Sequence, residues 1–400
     1  MKKHIVIVGS SFAGFSIAIR LAKLLGSKHE ITVIDQKPEF IFAPSLVWHP
    51  FNYRDNNDIT FDTRPMYEEH GIKFVSANVY GFDFEDQLIY LNNRDVHYDY
   101  LVIATGARPS YESVKGLFPK ENSWSICCDF DQVTATRNAW NEFVSDPGPL
   151  VVGAAQWASY FFAAYEFILN AIYHLDQNNL LDKVPLHFVT SEPYLCHFGI
   201  GGIENTTEAC TRLFADLGVQ AHLNAEIHQV KSREVVLEDG THIPTKFTMI
   251  IPPFVGVDAV RTTPMFADEH GLIPVSKHGN HRTFKNVYAA GASVQVPQIN
   301  ETPIGLGVPR TQSVSEVMAK TVASNIYAEL EGKKLSTLSI EEIYAACRKD
   351  IKHISSAIFG NYERADKNLD FIAKGSQEKW ANQSIEKFLE STFSEDSIGH

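Results

Sequence analysis

The chain opens with four β-branched residues, a short glycine-containing turn and a long apolar segment. The β-branched run, residues 5–8, predicts a buried strand, and the turn lies between Gly9 and Gly14. The apolar segment after the turn predicts a helix whose N-terminus points back at the turn. A second apolar run, residues 30–35, ends in Asp35, about twenty residues after the last glycine. The pattern therefore predicts a parallel strand, helix and strand unit at the start of the chain.

The predicted turn has the chemistry of a site for a dinucleotide pyrophosphate. Backbone N–H groups and the positive end of the helix dipole favour a phosphate there, and Gly9 and Gly14 allow it a close approach. Asp35 stands where a ribose-binding acid is expected. Ser11 replaces the middle glycine of the usual pattern with a small side chain, which narrows the approach without closing it. The alternative to a nucleotide site is a parallel strand, helix and strand unit that binds no nucleotide.

Two later strands that end in small residues complete this unit. Residues 98–109 predict a strand ending in the small residues 104–106, and this segment resembles the Ala-Thr-Gly segment of flavoproteins with two dinucleotide domains. Residues 283–292 resemble the closing strand of those proteins, which approaches the ribityl chain and pyrophosphate of a flavin. Three motifs in this order predict FAD rather than NAD as the ligand of the first domain.

The segments between these motifs predict cofactor-covering loops and a small inserted sheet. Residues 40–48 and 58–61 are rich in aromatic residues and proline, which is typical of loops over a planar cofactor, although plain apolar loops fit as well. Residues 72–83 and 87–92 predict strands of a meander inserted in the nucleotide domain.

A second strand, turn and helix unit is predicted from residue 149. Its turn carries Ala155 and Ala158 at the second and third glycine positions, and the bulky Trp157 lies where a pyrophosphate would approach. Because glycine serves this close approach, the turn disfavours NAD(P)H. Further strands of this unit are predicted at residues 186–191, 219–223 and 249–254.

Composition and charge exclude several classes of function. The net charge of −13 and the lack of a Lys/Arg cluster argue against a nucleic-acid surface. No run of eighteen apolar residues and no secretory signal is seen, so we expect a cytoplasmic protein. Peripheral attachment to the inner face of the cell membrane stays open as an alternative. Five cysteines do not form a disulfide framework. No metal-ligand spacing and no Ser-His-Asp order with a nucleophile elbow appears, so no metal is predicted.

Over nearly its whole length the chain resembles the sulfide:quinone oxidoreductases and the related flavoprotein subunit of flavocytochrome c sulfide dehydrogenase. The segments that carry the resemblance are residues 42–48, 125–127, 153–167, 189–202, 302–311 and 347–350. The Ser-Glu-Pro-Tyr segment at residues 191–194 and the Gly-Val-Pro segment at 307–309 are specific enough to disfavour a generic reductase.

The resemblance implies an α/β fold with two Rossmann-like dinucleotide-binding domains and a C-terminal α+β cap. We expect a discontinuous FAD-binding domain at residues 1–112 and 255–330, a second Rossmann-like domain at 113–254, and the cap, facing a quinone or a membrane, at 331–400. The cofactor-binding positions expected on this basis are Gly9, Ser11, Ala13, Gly14, Asp35, Gln36, Pro44, Ser45, Val79, Ala104, Thr105, Gly106, Gly291, Ala292 and Arg310.

The resemblance also implies oxidation of sulfide to sulfur or polysulfide at cysteines beside FAD, with electrons passed to a quinone. Two of three family cysteines match, at Cys127 and Cys347, and the third, one of the pair usually held over the flavin, falls on Tyr160. We therefore expect the Cys347 sulfur to lie against the flavin and to work alone with the flavin as electrophile, or another reductant to replace sulfide. Since a tyrosine forms neither a persulfide nor a disulfide, polysulfide growth between two flavin-proximal sulfurs is in doubt. The alternative for each cysteine is a buried inert thiol, and Cys128 cannot be separated from Cys127 by spacing.

Three further residues are candidates for the site. Glu166, in an apolar helix, suits a proton carrier, and the alternative is a structural carboxylate. His197, in a glycine-rich turn, is a candidate proton relay or a turn residue. Arg310 takes the place of the usual family Lys, where a cation would stabilise an anionic reduced flavin, and the alternative is a surface Arg at a helix start. Ala292 replaces the acid of many flavoproteins, which agrees with the sulfide-oxidising group.

The tail from residue 378 has apolar residues near helical spacing. It predicts a helix that makes weak contact with a membrane surface through Trp380, Phe388 and Phe393, or one that caps the domain or contacts a second subunit. Two other functions remain open for the whole chain. One is an NADH:quinone reductase resembling the type II NADH dehydrogenases, and the other is a flavin-binding protein with lost or altered sulfide turnover. Homo-oligomerisation also stays open.

Overall fold

The structure is a computed structural model of the chain. It describes residues 1–54, 58–92, 94–119, 121–127, 130–203, 205–362, 369–370, 372 and 384–394. The helices are α1 Phe12–Leu25, α2 Arg64–Glu69, α3 Phe130–Ser145, α4 Phe161–Gln177, α5 Thr206–Asp216, α6 Asp258–Arg261, α7 Gln312–Leu330, α8 Ile340–Tyr362 and α9 Ile385–Phe393. The strands are β1 His4–Val8, β2 Glu30–Asp35, β3 Glu39–Ile41, β4 Thr60–Asp62, β5 Lys73–Ser76, β6 Val79–Asp83, β7 Leu88–Leu91, β8 Asp95–His97, β9 Tyr100–Ile103, β10 Ala107–Pro109, β11 Leu150–Ala154, β12 Leu186–Thr190, β13 Val219–His222, β14 Ile227–Val230, β15 Glu234–Leu237, β16 His242–Pro244, β17 Phe247–Ile251, β18 Phe254–Gly256 and β19 Val287–Ala289.

The larger sheet is parallel and has the strand order β19-β9-β1-β2-β5. Its central strand β1 is apolar on both faces because helices cover a parallel sheet on either side, and residues 5–8 are all buried. In register, Ile5 lies beside Ile31 and Tyr100. The predicted unit of β1, glycine turn, α1 and β2 is confirmed.

The smaller parallel sheet has the order β13-β12-β11-β17. The strands predicted at 186–191 and 219–223 are confirmed as β12 and β13, whereas the run predicted at 249–254 is divided between β17 and the start of β18, which pairs with β10 in a separate sheet. Strands β11, β12 and β17 are buried along their whole length. An antiparallel sheet, β14-β15-β16, packs beside it. The strands of the larger sheet come from residues 4–103 and 287–289, and those of the smaller sheet come from residues 150–251. The exact domain boundaries given above stay a prediction.

The predicted inserted meander begins later than the sequence pattern suggests. Residues 73–76 form β5, which joins the larger parallel sheet beside β2, and only β6, β7 and β8 form the antiparallel meander. The single apolar run from residue 72 to 83 therefore serves two sheets, and the chain leaves one for the other after Ser76. Periodicity alone could not locate this change of partner.

The described part of the C-terminal cap is helical. Helix α8 begins at Ile340, and α9 begins at Ile385 with the Ser384 hydroxyl accepting a hydrogen bond from the Lys387 N–H. Trp380 lies outside the described residues. Among the residues that the structure describes, no helix combines the length and apolar composition needed to cross a bilayer.

Candidate active site

A cavity of about 340 Å³ lies at the carboxyl ends of the larger sheet, where strands β1, β2, β9 and β19 end. This edge is where open parallel sheets bind ligands. Segments far apart in sequence meet there because all these strands run in one direction. Its lining includes Ser11, Phe12, Ala13, Asp35, Phe40, Pro44, Ala104, Thr105, Gly106, Cys127, Tyr160, Phe162, Glu166, Phe254, Gly291, Ala292, Arg310, Gln312 and Asp350.

The turn after β1 is built for close backbone approach. Gly9 has a φ of 104°, and a Cβ there would collide with the carbonyl of Ala104. A Cβ on Gly14 would collide with the carbonyl of Gly9, so α1 can begin this close to the turn only with glycine at that position. Both glycines lie beneath the cavity, whereas Ser11 and Ala13 line it. The geometry is that of a pyrophosphate cradle.

Asp35 lies at the end of β2 with its carboxylate against the same turn. Its Oδ2 accepts a hydrogen bond of 2.6 Å from the Ser10 N–H, and its Oδ1 faces the Lys37 N–H at 3.4 Å. Burial raises the pKa of this carboxyl, and the backbone N–H groups oppose that rise. The carboxylate is thus held at the cavity edge, as the predicted ribose-binding role requires.

Two buried polar atoms of lining residues have no hydrogen-bond partner among the described residues. They are the Thr105 Oγ1 and the Arg310 Nε. The other side of the guanidinium is anchored, because Arg310 Nη1 donates to the carbonyls of Ala292 at 2.6 Å and Val294 at 2.9 Å. A buried donor without a partner is costly, so both atoms fit a polar ligand in the cavity.

The residues present therefore fit a flavin dinucleotide. The glycine cradle and Asp35 suit its phosphates and ribose, and the Arg310 Nε suits an oxygen or nitrogen of its ring. Burial lowers the pKa of Arg310, but a guanidinium stays charged in proteins. Five expected cofactor positions do not line the cavity. They are Gly9 and Gly14 beneath it, the buried Ser45, the exposed Gln36, and Val79 at the start of β6.

Three positions that the sequence analysis linked to the chemistry, Cys127, Glu166 and Tyr160, line this cavity. Cys127 and Glu166 line it, and both are buried. The backbone N–H of Cys127 donates to the Ser125 Oγ at 3.1 Å, which fixes the segment that carries the thiol. Tyr160, at the N-terminal end of α4, lines the cavity with its ring 4.8 Å from that of Phe254. The structure thus places one cysteine and a tyrosine where the resemblance implies two cysteines.

Cys347, whose sulfur was expected against the flavin, lies behind the cavity wall rather than in its lining. It is fully buried in α8, and its Sγ is 4.0 Å from the carbonyl of Pro309, the residue before Arg310. Burial, helped by the charge of Asp350, raises the pKa of the Cys347 thiol to about 12. This thiol is therefore protonated at neutral pH.

His197 does not line the cavity. It lies buried in the turn after β12, where its Nδ1 accepts a hydrogen bond of 3.2 Å from the Gly199 N–H, and burial lowers its pKa. The neighbouring Glu192 accepts from the Tyr165 hydroxyl at 2.7 Å and from the Phe198 N–H at 2.7 Å. Burial raises the pKa of the Glu192 carboxyl to about 7. This loop is thus organised by a carboxyl that the sequence analysis did not single out.

The turn of the second unit is filled by the chain itself. The Trp157 N–H donates to the Gly305 carbonyl at 2.7 Å, and the Gly307 N–H donates to the Ala158 carbonyl at 2.8 Å. Gly305 lies so close to the Trp157 ring that a Cβ there would overlap it. Backbone groups that would face a pyrophosphate are therefore bonded to residues 305–307.

The C-terminal helix turns its aromatic residues inward. Phe388 is fully buried and Phe393 is half-buried, with its ring 5.6 Å from that of His70. Of the alternatives for the tail, the structure shows the helix that caps the domain. The expected membrane contact through Phe388 and Phe393 does not follow from this packing.

Comparison with known proteins gives the family. The model of the pyridine nucleotide-disulphide oxidoreductases matches residues 3–312. The chain belongs to this family. It is 33% identical over 337 residues to the sulfide-quinone reductase of Aquifex aeolicus, a match that covers 82% of this chain and 77% of that protein. The crystal structure of the sulfide:quinone oxidoreductase from Aquifex aeolicus superposes with a TM-score of 0.79 at 32% identity, over 82% of this chain and 77% of that one. A demethylphylloquinone reductase of Synechocystis is 32% identical over 124 residues, which is 29% of this chain and 31% of that protein.

As a member of the pyridine nucleotide-disulphide oxidoreductases, the protein is an FAD-dependent oxidoreductase with the predicted α/β fold. The prediction of FAD is confirmed by the family, and the cavity supplies the groups to hold it. In the described part of the chain, no three His, Cys, Asp or Glu side chains are grouped as they would be around a metal ion.

The sequence analysis missed several residues of the cavity. Asp350 is the most informative, because its Oδ1 and Oδ2 accept from the Ser313 hydroxyl at 2.6 Å and the Ser313 N–H at 3.0 Å, at the start of α7. Its position three residues after Cys347 on a helix places both on one face, which was a usable signal. The aromatic wall residues Phe12, Phe162 and Phe254 carried no such signal.

Proposed function

We propose that this protein oxidises sulfide and passes the electrons through FAD to a quinone. The observation that carries the proposal is the cavity itself, where the Cys127 thiol and the Glu166 carboxyl line the same space as the dinucleotide-binding residues. The chain's similarity to sulfide-quinone reductase over 82% of its length supports the same assignment.

In this proposal Cys127 carries the sulfur. When bound, FAD supplies a two-electron acceptor, which the quinone then reoxidises. The balance is one thiol and one H₂S giving one persulfide, two protons and two electrons, with the S–S bond formed at Cys127 and two S–H bonds broken. Glu166 receives a proton inside the cavity, and the Arg310 guanidinium would supply positive charge to favour the reduced form of a bound flavin.

Cys347 has a different place in this scheme. Its thiol is buried beside Pro309 and protonated at neutral pH, so it does not begin the reaction. We propose that Cys127 reacts with sulfide first. Cys347, buried behind residues 309–310, takes no part in this first step. His197, outside the cavity lining, serves its turn rather than a proton relay.

The NADH:quinone alternative is less well supported. The second turn, which would hold NADH, is bonded to residues 305–307 and covered by Trp157. The alternative of lost or altered sulfide turnover rests on Tyr160, which occupies the cavity position where a second thiol is implied.

The proposal also assigns the partners. The donor is sulfide, and the acceptor is a quinone, which would be met at a membrane surface; we place the protein at the cytoplasmic face. Because Phe388 and Phe393 are packed inward, this contact would use another surface. Homo-oligomerisation stays a prediction.

Anaerobic titration of the yellow protein tests the proposal. We expect sulfide to bleach the flavin absorbance and a short-chain quinone to restore it, whereas NADH leaves the spectrum unchanged. A flavin that sulfide never bleaches would overturn the assignment of the donor, and bleaching by NADH would select the NADH:quinone alternative. Replacing Tyr160 by Cys separates the third possibility, because a large gain in sulfide turnover would indicate an enzyme that has lost activity.

A further inference from the structure

The C-terminal helix α9 meets the cofactor cavity through a triangle of three phenylalanine rings. The ring centroids of Phe12 and Phe40 are 5.0 Å apart, those of Phe12 and Phe388 are 5.0 Å apart, and those of Phe40 and Phe388 are 5.1 Å apart. Phe12 and Phe40 both line the cavity, whereas Phe388 comes from the far end of the chain. Phe388 therefore packs behind the part of the cavity wall that Phe12 and Phe40 form.

The position of Phe12 makes this contact matter for the cofactor. Phe12 is the first residue of α1 and directly follows Ser11 in the turn that cradles the pyrophosphate. Its ring fixes the start of the helix whose N–H groups face the phosphates. Phe388 is fully buried against it, so its removal would leave the Phe12 ring free to move into the space.

A second connection joins α9 to the same cavity through polar groups. The Ser391 hydroxyl donates to the Phe388 carbonyl at 2.9 Å, and its Oγ lies 3.4 Å from the Glu316 Oε1, which accepts from the Gln312 Nε2 at 2.7 Å. Gln312 lines the cavity at the start of α7. The helix therefore contacts the cavity wall directly through Phe388 and reaches Gln312 indirectly through Glu316.

The far end of α9 is attached elsewhere. The Lys23 Nζ donates to the Phe393 carbonyl at 2.8 Å and lies 5.0 Å from the centroid of its ring. The ring of Phe393 packs on Phe15 and His70, neither of which lines the cavity. Phe388 and Phe393 thus bury aromatic rings from one helix, but only Phe388 contacts cavity residues.

We propose that α9 is a clamp that retains FAD, with Phe388 as the positioning residue that holds Phe12 and Phe40 against the dinucleotide. Because coupling between two binding events is reciprocal, bound FAD must hold α9 in place as strongly as α9 holds FAD. This inference needs only that the protein binds FAD and does not depend on sulfide or quinone as substrates.

The test measures how fast FAD leaves the holoprotein, followed by the rise in flavin fluorescence after dilution. We expect Phe388→Ala to release FAD about tenfold faster than the unchanged protein, a typical size for such coupling. Phe393→Ala is the matched control, since it removes a ring from the same helix without touching the cavity, and should change the rate less than about twofold. Phe388→Leu, which refills the space, should restore slow release.

Limited proteolysis of the unchanged chain gives an independent readout if Phe388→Ala fails to fold. We expect excess FAD to slow cleavage that removes α9 by about tenfold, with cleavage in the exposed meander at residues 85–86 as the internal reference. Equal rates of tail cleavage with and without FAD would overturn the proposal. So would a folded Phe388→Ala protein that releases FAD at the original rate.

Discussion

At the scale of single residues, the two family cysteines differ in access to the cavity. Cys127 lines it, while Cys347 is fully buried behind Pro309 with a thiol pKa raised to about 12. A thiol attacks or accepts sulfur as its thiolate, so burial and proximity to Asp350 both disfavour Cys347 as the first nucleophile. The family match favoured Cys347 as the sulfur beside the flavin, whereas the structure places Cys127 in the cavity lining, because the match gives a position in the sequence and not the direction in which a helix turns its side chains.

We predict that Cys127→Ser slows the reduction of bound flavin by sulfide by about 100-fold or more, because Cys127 is the thiol found among the described residues of the cavity lining. Cys347→Ser, which removes a protonated buried thiol, should slow it less than about tenfold. Stopped-flow absorbance under anaerobic conditions measures both rates, and the unchanged flavin spectrum of each variant shows that FAD is still bound. The opposite order of the two effects would contradict the assignment.

Glu192 predicts a pH dependence of stability. Burial raises its carboxyl pKa from 4.5 to about 7, so between these values the folded protein binds a proton that the unfolded chain has lost. Its contribution to stability is therefore fully present below about pH 4.5, declines as the pH rises, and is lost above about pH 7. A shift of this size corresponds to roughly 3 kcal/mol across the window.

Urea denaturation at several pH values measures this dependence. Between acid and neutral pH the unchanged protein should lose about 3 kcal/mol of free energy of unfolding that Glu192→Gln keeps, because glutamine does not titrate. His197→Gln serves as the comparison in the same loop. Parallel curves for the unchanged protein and Glu192→Gln would show that the carboxyl does not titrate in this range.

At the scale of elements, a side-chain hydrogen bond joins α8 to the start of α7. The Asp350 carboxylate accepts from both the N–H and the hydroxyl of Ser313, in the first turn of a helix whose first residues line the cavity. A carboxylate at this end also suits the helix dipole. The link positions the cap helix, which carries Cys347, relative to the cavity.

We predict that Asp350→Asn lowers the free energy of unfolding by about 1–3 kcal/mol, since a charged acceptor of two hydrogen bonds is lost from a buried site. The measurement is urea denaturation of the holoprotein. Lys349→Gln, an exposed neighbour on the same helix, is the control and should lie within about 0.5 kcal/mol of the unchanged protein. Equal stability of both variants would mean that this bond contributes nothing to the attachment of α8.

Local sequence patterns predicted some elements better than others. The β1 turn and α1 followed from Gly9, Gly14 and the apolar runs, because the close backbone contacts there require particular residues. The change of sheet after Ser76 and the inward packing of Phe388 did not follow, since both depend on partners distant in sequence. An amphipathic tail helix presents the same pattern whether a membrane or a protein core covers its apolar face.

At the scale of the whole molecule, the cavity is assembled from segments that no single element could bring together. Its lining comes from the turn after β1, the ends of β2, β9 and β19, the N-terminus of α7, and Asp350 on α8. A ligand that contacts all of them should suppress the local opening of each. The family motifs in the sequence implied most of this convergence, including the segment 347–350 on α8, but they indicated Cys347 rather than Asp350 as its contribution.

We therefore predict that FAD protects these segments from hydrogen exchange as one unit. At a concentration about 100 times its Kd, FAD should raise the opening free energy of amides in residues 10–15, 104–106, 291–293 and 312–315 by up to about 2.7 kcal/mol each. Amides of the meander β6-β7-β8, none of whose residues lines the cavity, should exchange at unchanged rates and act as the internal control. Protection confined to residues 10–15 would mean that FAD is held by the first turn alone and that the cavity does not close around it. Protection that reaches 312–315 would show that FAD also closes against the N-terminus of α7, next to Arg310.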